Sequence, residues 1–184
     1  MAETQIVAST SDKRGLIMVF TGNGKGKTTA AFGQALRAVG QGFKVCIIQF
    51  MKGRKYGEVL TMERCLPEVT VIQAGLDRFV MRDNPDPEDI QLARDGFEKA
   101  REIIQGNTYD MVILDEINVA ADFHLIAEDD IVRLIYAKPP ELDLILTGRY
   151  ASEKIRGLAD MVSEVMEVKH HYNAGMDGRA GIEY

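Results

Sequence analysis

The stretch that decides the fold is Thr21-Gly22-Asn23-Gly24-Lys25-Gly26-Lys27-Thr28-Thr29. It follows an apolar run at residues 16–20 and precedes residues 28–39, whose apolar side chains recur at helical spacing. Glycines permit positive φ angles and let backbone N–H groups approach phosphate oxygens, and the N-terminus of the following helix adds a partial positive charge. A strand, a glycine-rich loop and a helix in this order predict a phosphate-binding loop.

The side chains of this loop add charge and a metal ligand. Lys27 supplies a full positive charge to the phosphates, the Thr28 hydroxyl is placed to bind Mg²⁺, and Lys25 adds a second cation. The alternative is an ordinary glycine-rich turn with incidental lysines, and the general pattern has glycine where this chain has Thr21. The predicted nucleotide-binding residues of the loop are Gly22, Asn23, Gly24, Lys25, Gly26, Lys27, Thr28 and Thr29.

Outward from the loop, short apolar runs alternate with longer helical patterns, which is typical of a parallel α/β sheet. Several runs are apolar throughout, as expected for strands covered by helices on both faces. We therefore predict an α/β fold of three layers, with a flexible N-terminal segment at residues 1–14 and a single domain at residues 15–184. The predicted strands are residues 16–20, 44–50, 69–73, 111–114, 142–146 and 162–168, and the predicted helices are 28–39, 87–104, 128–137 and 152–159.

Two further polar groups follow predicted strands. Asp115 and Glu116 come after an apolar strand and would reach the carboxyl edge of the sheet, where a carboxylate can hold Mg²⁺. The alternative is that either acid only caps the next helix. Arg149 follows another strand and could contact a phosphate with two donors, or it is a surface arginine.

Composition excludes several functional classes. The chain has 184 residues and a formal net charge of −6, which argues against a dedicated nucleic-acid binder. The polar start is no secretory signal, and no stretch approaches the ~18 apolar residues of a membrane span. The two cysteines match no metal or redox spacing, and Cys46 is expected to be a small buried apolar residue. A cytoplasmic location is expected.

The motifs taken together resemble the bacterial ATP:corrinoid adenosyltransferases of the P-loop type. The resemblance runs from about residue 15 to the last residue, so it is more than a shared phosphate loop. It implies a P-loop NTPase-like three-layer fold and a homodimer. The motifs after the loop that carry it are QFMKG at residues 49–53, LDEIN at 114–118, TGR at 147–149, KHHYNAG at 169–175 and GIEY at 181–184.

The resemblance also implies a reaction, in which the 5′-deoxyadenosyl group of MgATP moves to the cobalt of a corrinoid in the Co(I) state and tripolyphosphate leaves. Residues 24–29 would hold the triphosphate, in an orientation reversed from that of other P-loop proteins, and Thr28 would flank Mg²⁺ with Glu116 and Asp115. Lys27, Thr28 and Glu116 are the expected catalytic residues of the loop and the strand end. An electron-donor flavoprotein is an expected partner, since something must generate Co(I).

The chain departs from many relatives by having no tryptophan. The loop at residues 75–80 corresponds to the one that carries a Phe and a Trp against the corrinoid in those relatives. Phe79 is therefore the candidate to press on the corrinoid, and the alternative is an ordinary core residue. Residues 173–184 are either a binding loop or a mobile tail.

Two rival functions remain open. A P-loop ATPase or kinase would use Glu116 to activate water or an acceptor hydroxyl. A non-catalytic switch would bind ATP without turnover and signal to a partner.

Overall fold

The computed structural model describes residues 14–184, in which six parallel strands form one sheet of order β3-β2-β4-β5-β1-β6. The strands are β1 Ile17–Thr21, β2 Val45–Phe50, β3 Val69–Ala74, β4 Met111–Asp115, β5 Asp143–Thr147 and β6 Met161–Glu164. The helices are α1 Lys27–Val39, α2 Gly57–Cys65, α3 Pro87–Gly106, α4 Ile117–Asp122, α5 Glu128–Ala137 and α6 Glu153–Leu158, and a 3₁₀ turn spans His171–Ala174.

Helices cover both faces of the sheet, so the predicted α/β fold is confirmed. α1 and α2 pack on one face through Phe32 and Met62, and the longer α3 packs on the other through Phe97. Strand β2 serves both cores because its side chains alternate, with Ile47 facing α1 and Ile48 facing α3. Asp86 followed by Pro87 is a sequence that predicts the N-cap of α3. The structure confirms this, since Asp86 Oδ1 accepts a hydrogen bond of 3.0 Å from the N–H of Glu88.

Two helices of the structure, α2 and α4, are not among the predicted elements. Only Val59 and Met62 of α2 are buried, so its apolar residues are too few to show a helical period. α4 has six residues and begins one residue after β4, and a segment this short cannot display a helical period.

The last strand is shorter than predicted. β6 ends at Glu164 and not at residue 168, because the chain then turns over the phosphate loop. There the N–H of Val165 donates to the carbonyl of Thr21 at 2.8 Å, and the N–H of Gly24 donates to the carbonyl of Val165 at 2.8 Å. The segment after β6 therefore supports the loop.

The strand order brings the predicted site residues to one edge. All strands are parallel, so the residues after β1, β2, β4 and β5 meet at the carboxyl edge of the sheet. β5 lies between β1 and β4, which puts its last residue, Thr147, between the phosphate loop and Asp115.

Cys46 is fully buried, as predicted, and burial raises the pKa of its thiol to about 12. Within residues 14–184, no helix combines the length and the apolar character needed to cross a membrane. Apart from Arg14, the segment at residues 1–14 falls outside the described residues, and a single domain at residues 15–184 stays a prediction.

Candidate functional site

The loop between β1 and α1 presents its lysine and the start of a helix toward one cavity. Gly26 stands at the N-cap of α1 with φ of 124°, a conformation that favours glycine, and within residues 14–184 no side chain caps this helix. The N–H groups of the first turn thus stay available to an anion. Lys27 is only 7% exposed, and its Nζ donates to the carbonyl of Gly24 at 2.8 Å.

Two loop glycines are required by packing. A Cβ on Gly22 would lie 2.5 Å from the carbonyl oxygen of Val165, and one on Gly24 would lie 2.6 Å from that of Met166. The N–H of Gly24 is also committed to Val165. These two glycines therefore hold the loop against the segment after β6, and the helix start at Gly26 is left to face a ligand.

The presence of threonine at position 21, where the general phosphate-loop pattern has glycine, also has a structural reason. Thr21 is the last residue of β1, is 3% exposed, and its Oγ1 accepts a hydrogen bond of 3.2 Å from the N–H of Ala151. It connects the loop to the segment after β5, which a glycine could not do through a side chain.

Asp115 is the centre of a buried polar network. Its Oδ1 accepts from the hydroxyl of Thr28 at 2.9 Å and from the hydroxyl of Thr147 at 2.7 Å. Its Oδ2 accepts from Nε2 of Gln49 at 3.0 Å and from Nζ of Lys52 at 2.8 Å. Asp115 itself is fully buried. Four donors from α1, β2, the loop after β2 and β5 thus fix one carboxylate at the sheet edge.

The charged residues of the site shift one another's pKa values. Burial alone would raise the pKa of Asp115, but the ammonium of Lys52 and the hydrogen bonds hold it below its ordinary value. Burial would lower the pKa of Lys52, but attraction to Asp115 and Glu116 raises it, so both members of the pair are charged. Burial and the neighbouring Asp115 raise the pKa of Glu116, and burial lowers that of Lys27.

Neither acid serves as a helix cap. The carboxylate of Asp115 is used by the network, and Glu116 stands at the N-cap of α4 with φ of 63° but caps no N–H with its side chain within residues 14–184. The N–H of Glu116 donates instead to Oγ1 of Thr147 at 2.9 Å. Glu116 lines the cavity and its side chain makes no capping hydrogen bond in the described part of the chain, so the capping alternative is wrong.

The cavity beside the loop has a volume of about 760 Å³, within the roughly 300–1,000 Å³ of ligand pockets. It brings together most of the predicted residues, but Gly22, Asn23, Asp115 and Phe79 lie outside its described lining. From the loop it extends along the groove between α1 and α2, past Phe32. The predicted residues that line it are Gly24, Lys25, Gly26, Lys27, Thr28, Thr29, Glu116 and Arg149.

The end of the chain forms another wall of the same cavity. Ile182, Glu183 and Tyr184 line it, and the Tyr184 ring lies 4.9 Å from the guanidinium carbon of Arg54. Lys25 is near enough to Glu183 to contribute to lowering its pKa, after the larger effect of the hydrogen bond from the Arg179 N–H. This arrangement favours the binding-loop interpretation of residues 173–184.

Comparison with known proteins gives the family. Residues 13–184 match the family described as ATP:corrinoid adenosyltransferase BtuR/CobO/CobP. The chain belongs to this family. A corrinoid adenosyltransferase of Escherichia coli K12 is 39% identical over 97% of this chain and 90% of its own length. The corrinoid adenosyltransferase CobA of Salmonella typhimurium LT2 is 37% identical over the same shares, and one from a Sinorhizobium species is 34% identical over 100% of this chain and 86% of its own length.

A solved structure of low sequence identity supports the fold. The flagellar accessory protein FlaH of Methanocaldococcus jannaschii superposes with a TM-score of 0.53 at 14% identity, over 83% of this chain and 71% of that one. At this identity the likeness concerns the fold alone. The adenosyltransferase family is established by sequence.

Phe79, the family-based candidate for corrinoid contact, lies on the loop between β3 and α3 and is 100% exposed. The alternative of a core residue is therefore wrong. Met81 on the same loop is 69% exposed. Phe79 is therefore free to contact a ligand or partner, as the resemblance implies for this loop.

Three residues of the network had no predicted role, although they lie within the motifs at residues 49–53 and 147–149; they are Gln49, Lys52 and Thr147. Gln49 is a fully buried polar residue in an otherwise apolar strand, which is a usable signal. Lys52 gives no such signal, because its proximity to Asp115 depends on β2 and β4 being neighbours in the sheet. Strand order was the missing information.

Proposed function

We propose that this chain transfers the 5′-deoxyadenosyl group of MgATP to the Co(I) centre of a corrinoid and releases tripolyphosphate. The single observation that carries the proposal is the cavity in which the phosphate loop, Lys27 and Glu116 meet the groove between α1 and α2. The loop suits a triphosphate, and the groove beyond it has room for the nucleoside. Membership in the family supports the choice of reaction.

The chemistry assigns the protein a positioning and electrostatic role. The Co(I) centre donates its electron pair to C5′, the bond between C5′ and the phosphate oxygen breaks, and that bond's electrons leave with the triphosphate. Lys27, Lys25 and the N-terminus of α1 stabilise the departing charge. No protein nucleophile is needed, so the walls of the cavity serve mainly to hold C5′ in line with cobalt.

The residues present fit a magnesium ion. Thr28 and Asp115 bring a hydroxyl and a carboxylate within 2.9 Å of each other, Glu116 stands next to them, and hard oxygen ligands are those that Mg²⁺ prefers. The ammonium of Lys52 lies against both Thr28 and Asp115, so these oxygens already accept a positive charge, which supports the proposal. When bound, Mg²⁺ would neutralise part of the triphosphate charge.

The decisive experiment is one anaerobic reaction with MgATP and chemically reduced cobalamin, in which the corrinoid spectrum and the phosphate products are followed together. Adenosylcobalamin formed in step with tripolyphosphate supports the proposal. Consumption of ATP to ADP and phosphate, with an unchanged Co(I) spectrum, would refute it.

ATP hydrolysis is the second candidate, and one observation favours it. The carboxylate of Glu116 faces the cavity and has a raised pKa, as a general base requires. Under that function Glu116→Gln would abolish phosphate release. Under adenosyl transfer, the same variant retains the ability to form the cobalt–carbon bond at a reduced rate. Binding of ATP without any turnover would instead indicate the switch.

The loop after β3 provides a prediction specific to the corrinoid. Phe79→Ala should lower kcat/KM for adenosyl transfer about tenfold, because the lost aromatic surface no longer packs on the corrinoid. The dissociation constant for MgATP, measured by calorimetry, should stay unchanged. Tyr136→Ala is the matched control, since Tyr136 is also an exposed aromatic residue but lies on α5. Equal kinetics of the two variants would remove Phe79 from the site.

We also propose that the chain acts as a cytoplasmic homodimer, with residues 15–184 as one domain and an electron-donor flavoprotein as the source of Co(I). Exposed apolar side chains along β6 and the segment after it support the dimer, since a sheet edge of this kind favours association. These side chains are Met161, Val162, Met166 and Val168.

A further inference from the structure

The position of Lys52 goes beyond the assignments made so far. It lies on the loop after β2, and its side chain is only 16% exposed. Its Nζ donates to Oδ2 of Asp115 at 2.8 Å and to Oγ1 of Thr28 at 3.3 Å. By contrast Lys55, three residues further along the same loop, is 54% exposed and pairs with Glu63 at the surface.

The ammonium of Lys52 is held by the same two oxygen-bearing groups that would bind magnesium. Thr28 and Asp115 are the groups proposed to bind Mg²⁺, and both already contact Lys52. A magnesium ion would need Oγ1 of Thr28 among its ligands, and this oxygen already accepts from the ammonium of Lys52 at 3.3 Å. The two cations therefore compete for the Thr28 oxygen, and their mutual repulsion adds to that competition. The ammonium and a magnesium ion are therefore alternatives at this position.

The ammonium of Lys52 also has a second possible binding partner, the triphosphate. Its side chain lines the cavity together with Lys27 and Gly26, so the triphosphate would lie within its neighbourhood. A lysine is suited to such a move, because its ammonium is a compact charge on a flexible stem with three donors. An arginine, with a rigid planar fork, would be less able to exchange one oxygen set for another.

We propose that Lys52 is an exchangeable cation of the nucleotide site. In the nucleotide-free protein its ammonium neutralises Asp115 between β4 and α1; when MgATP binds, Lys52 leaves Asp115 and Thr28 and its ammonium binds the triphosphate. This inference deepens the proposed function and rests on it. It implies that the metal enters with the nucleotide, since the free protein already holds a cation at that position.

The first test uses Mn²⁺ alone as the probe, without ATP or corrinoid. Free Mn²⁺ is measured by electron paramagnetic resonance with nucleotide-free wild type, Lys52→Met and Lys55→Met. Loss of the competing ammonium should tighten Mn²⁺ binding by Lys52→Met about tenfold or more, and Lys55→Met should match wild type. Equal Mn²⁺ affinity in all three proteins would overturn the exchange.

The second test uses metal-free tripolyphosphate, measured by calorimetry. Lys52→Met should bind it about tenfold more weakly than wild type, because one charged donor is lost, and Lys55→Met should not. Unchanged affinity would show that Lys52 is only a structural ion-pair partner.

The tests remain informative if Lys52→Met is less stable. In that case Mn²⁺ should raise its Tm more than it raises the Tm of wild type, because the ion replaces the missing cation beside Asp115. An equal Tm shift in both proteins counts against the proposal. Failure of the proposed function shows separately, as wild type that does not form adenosylcobalamin from MgATP.

Discussion

Replacement of Lys27 by Ala should lower kcat/KM for adenosyl transfer roughly a thousandfold, near the upper end of the effect of losing one preorganised donor. The ammonium of Lys27 brings a full charge to the loop and is positioned in advance, because it donates to the carbonyl of Gly24 at 2.8 Å and the residue is only 7% exposed. The loss should fall on kcat as well as KM, because the charge on the leaving triphosphate grows as the C5′–oxygen bond breaks. Anaerobic steady-state kinetics with reduced cobalamin measures it.

The control for this variant is a lysine with no part in the site. Lys99 on α3 pairs with Glu102 at the surface, and Lys99→Ala should leave the kinetics unchanged. Both variants should melt near the wild-type temperature. A Lys27→Ala protein that folds and works within about threefold of wild type would show that the loop does not bind the reacting triphosphate.

Removal of the Asp115 carboxylate has the largest expected effect on stability. Asp115→Ala should lower the free energy of unfolding by about 3 kcal/mol, because it leaves the buried ammonium of Lys52 without its counter-ion. Thr147 and Gln49 lose their acceptor at the same time. Urea unfolding followed by circular dichroism measures the change.

A double variant separates the charge effect from the lost hydrogen bonds. Asp115→Ala combined with Lys52→Met should be less destabilised than the sum of the two single variants, because no unpaired charge remains. Asp129→Ala is the control, since Asp129 pairs with Lys154 on the surface and its loss should leave stability close to wild type. Additive effects of the two substitutions at Asp115 and Lys52 would contradict a coupled pair.

The sequence was sufficient to predict those features whose residues lie close together along the chain. The loop at residues 21–29 was predicted from its glycines and lysines between a strand and a helix. The N-cap at Asp86 was predicted from the Pro87 that follows it. The acids after β4 were located because parallel strands end at one edge.

What the sequence could not supply were relations between distant segments. Gly22 and Gly24 were read as phosphate ligands, but contacts with Val165 and Met166, some 140 residues later, also require them to be glycine. Lys52 meets Asp115 only because β2 and β4 are neighbours. The short α2 and α4 were missed because a few buried side chains cannot display a helical period.

The strand order also bears on when the site is formed. β1 carries the phosphate loop, yet both of its neighbours in the sheet, β5 and β6, come from residues 143–164, with Ile17 opposite Leu144. During synthesis the loop therefore leaves the ribosome long before the strands that flank it, and pairings this distant in sequence close slowly. We therefore expect the ability to bind a nucleotide to arise late in folding, and a nascent chain that stops short of β5 to lack it although every residue of the loop is present.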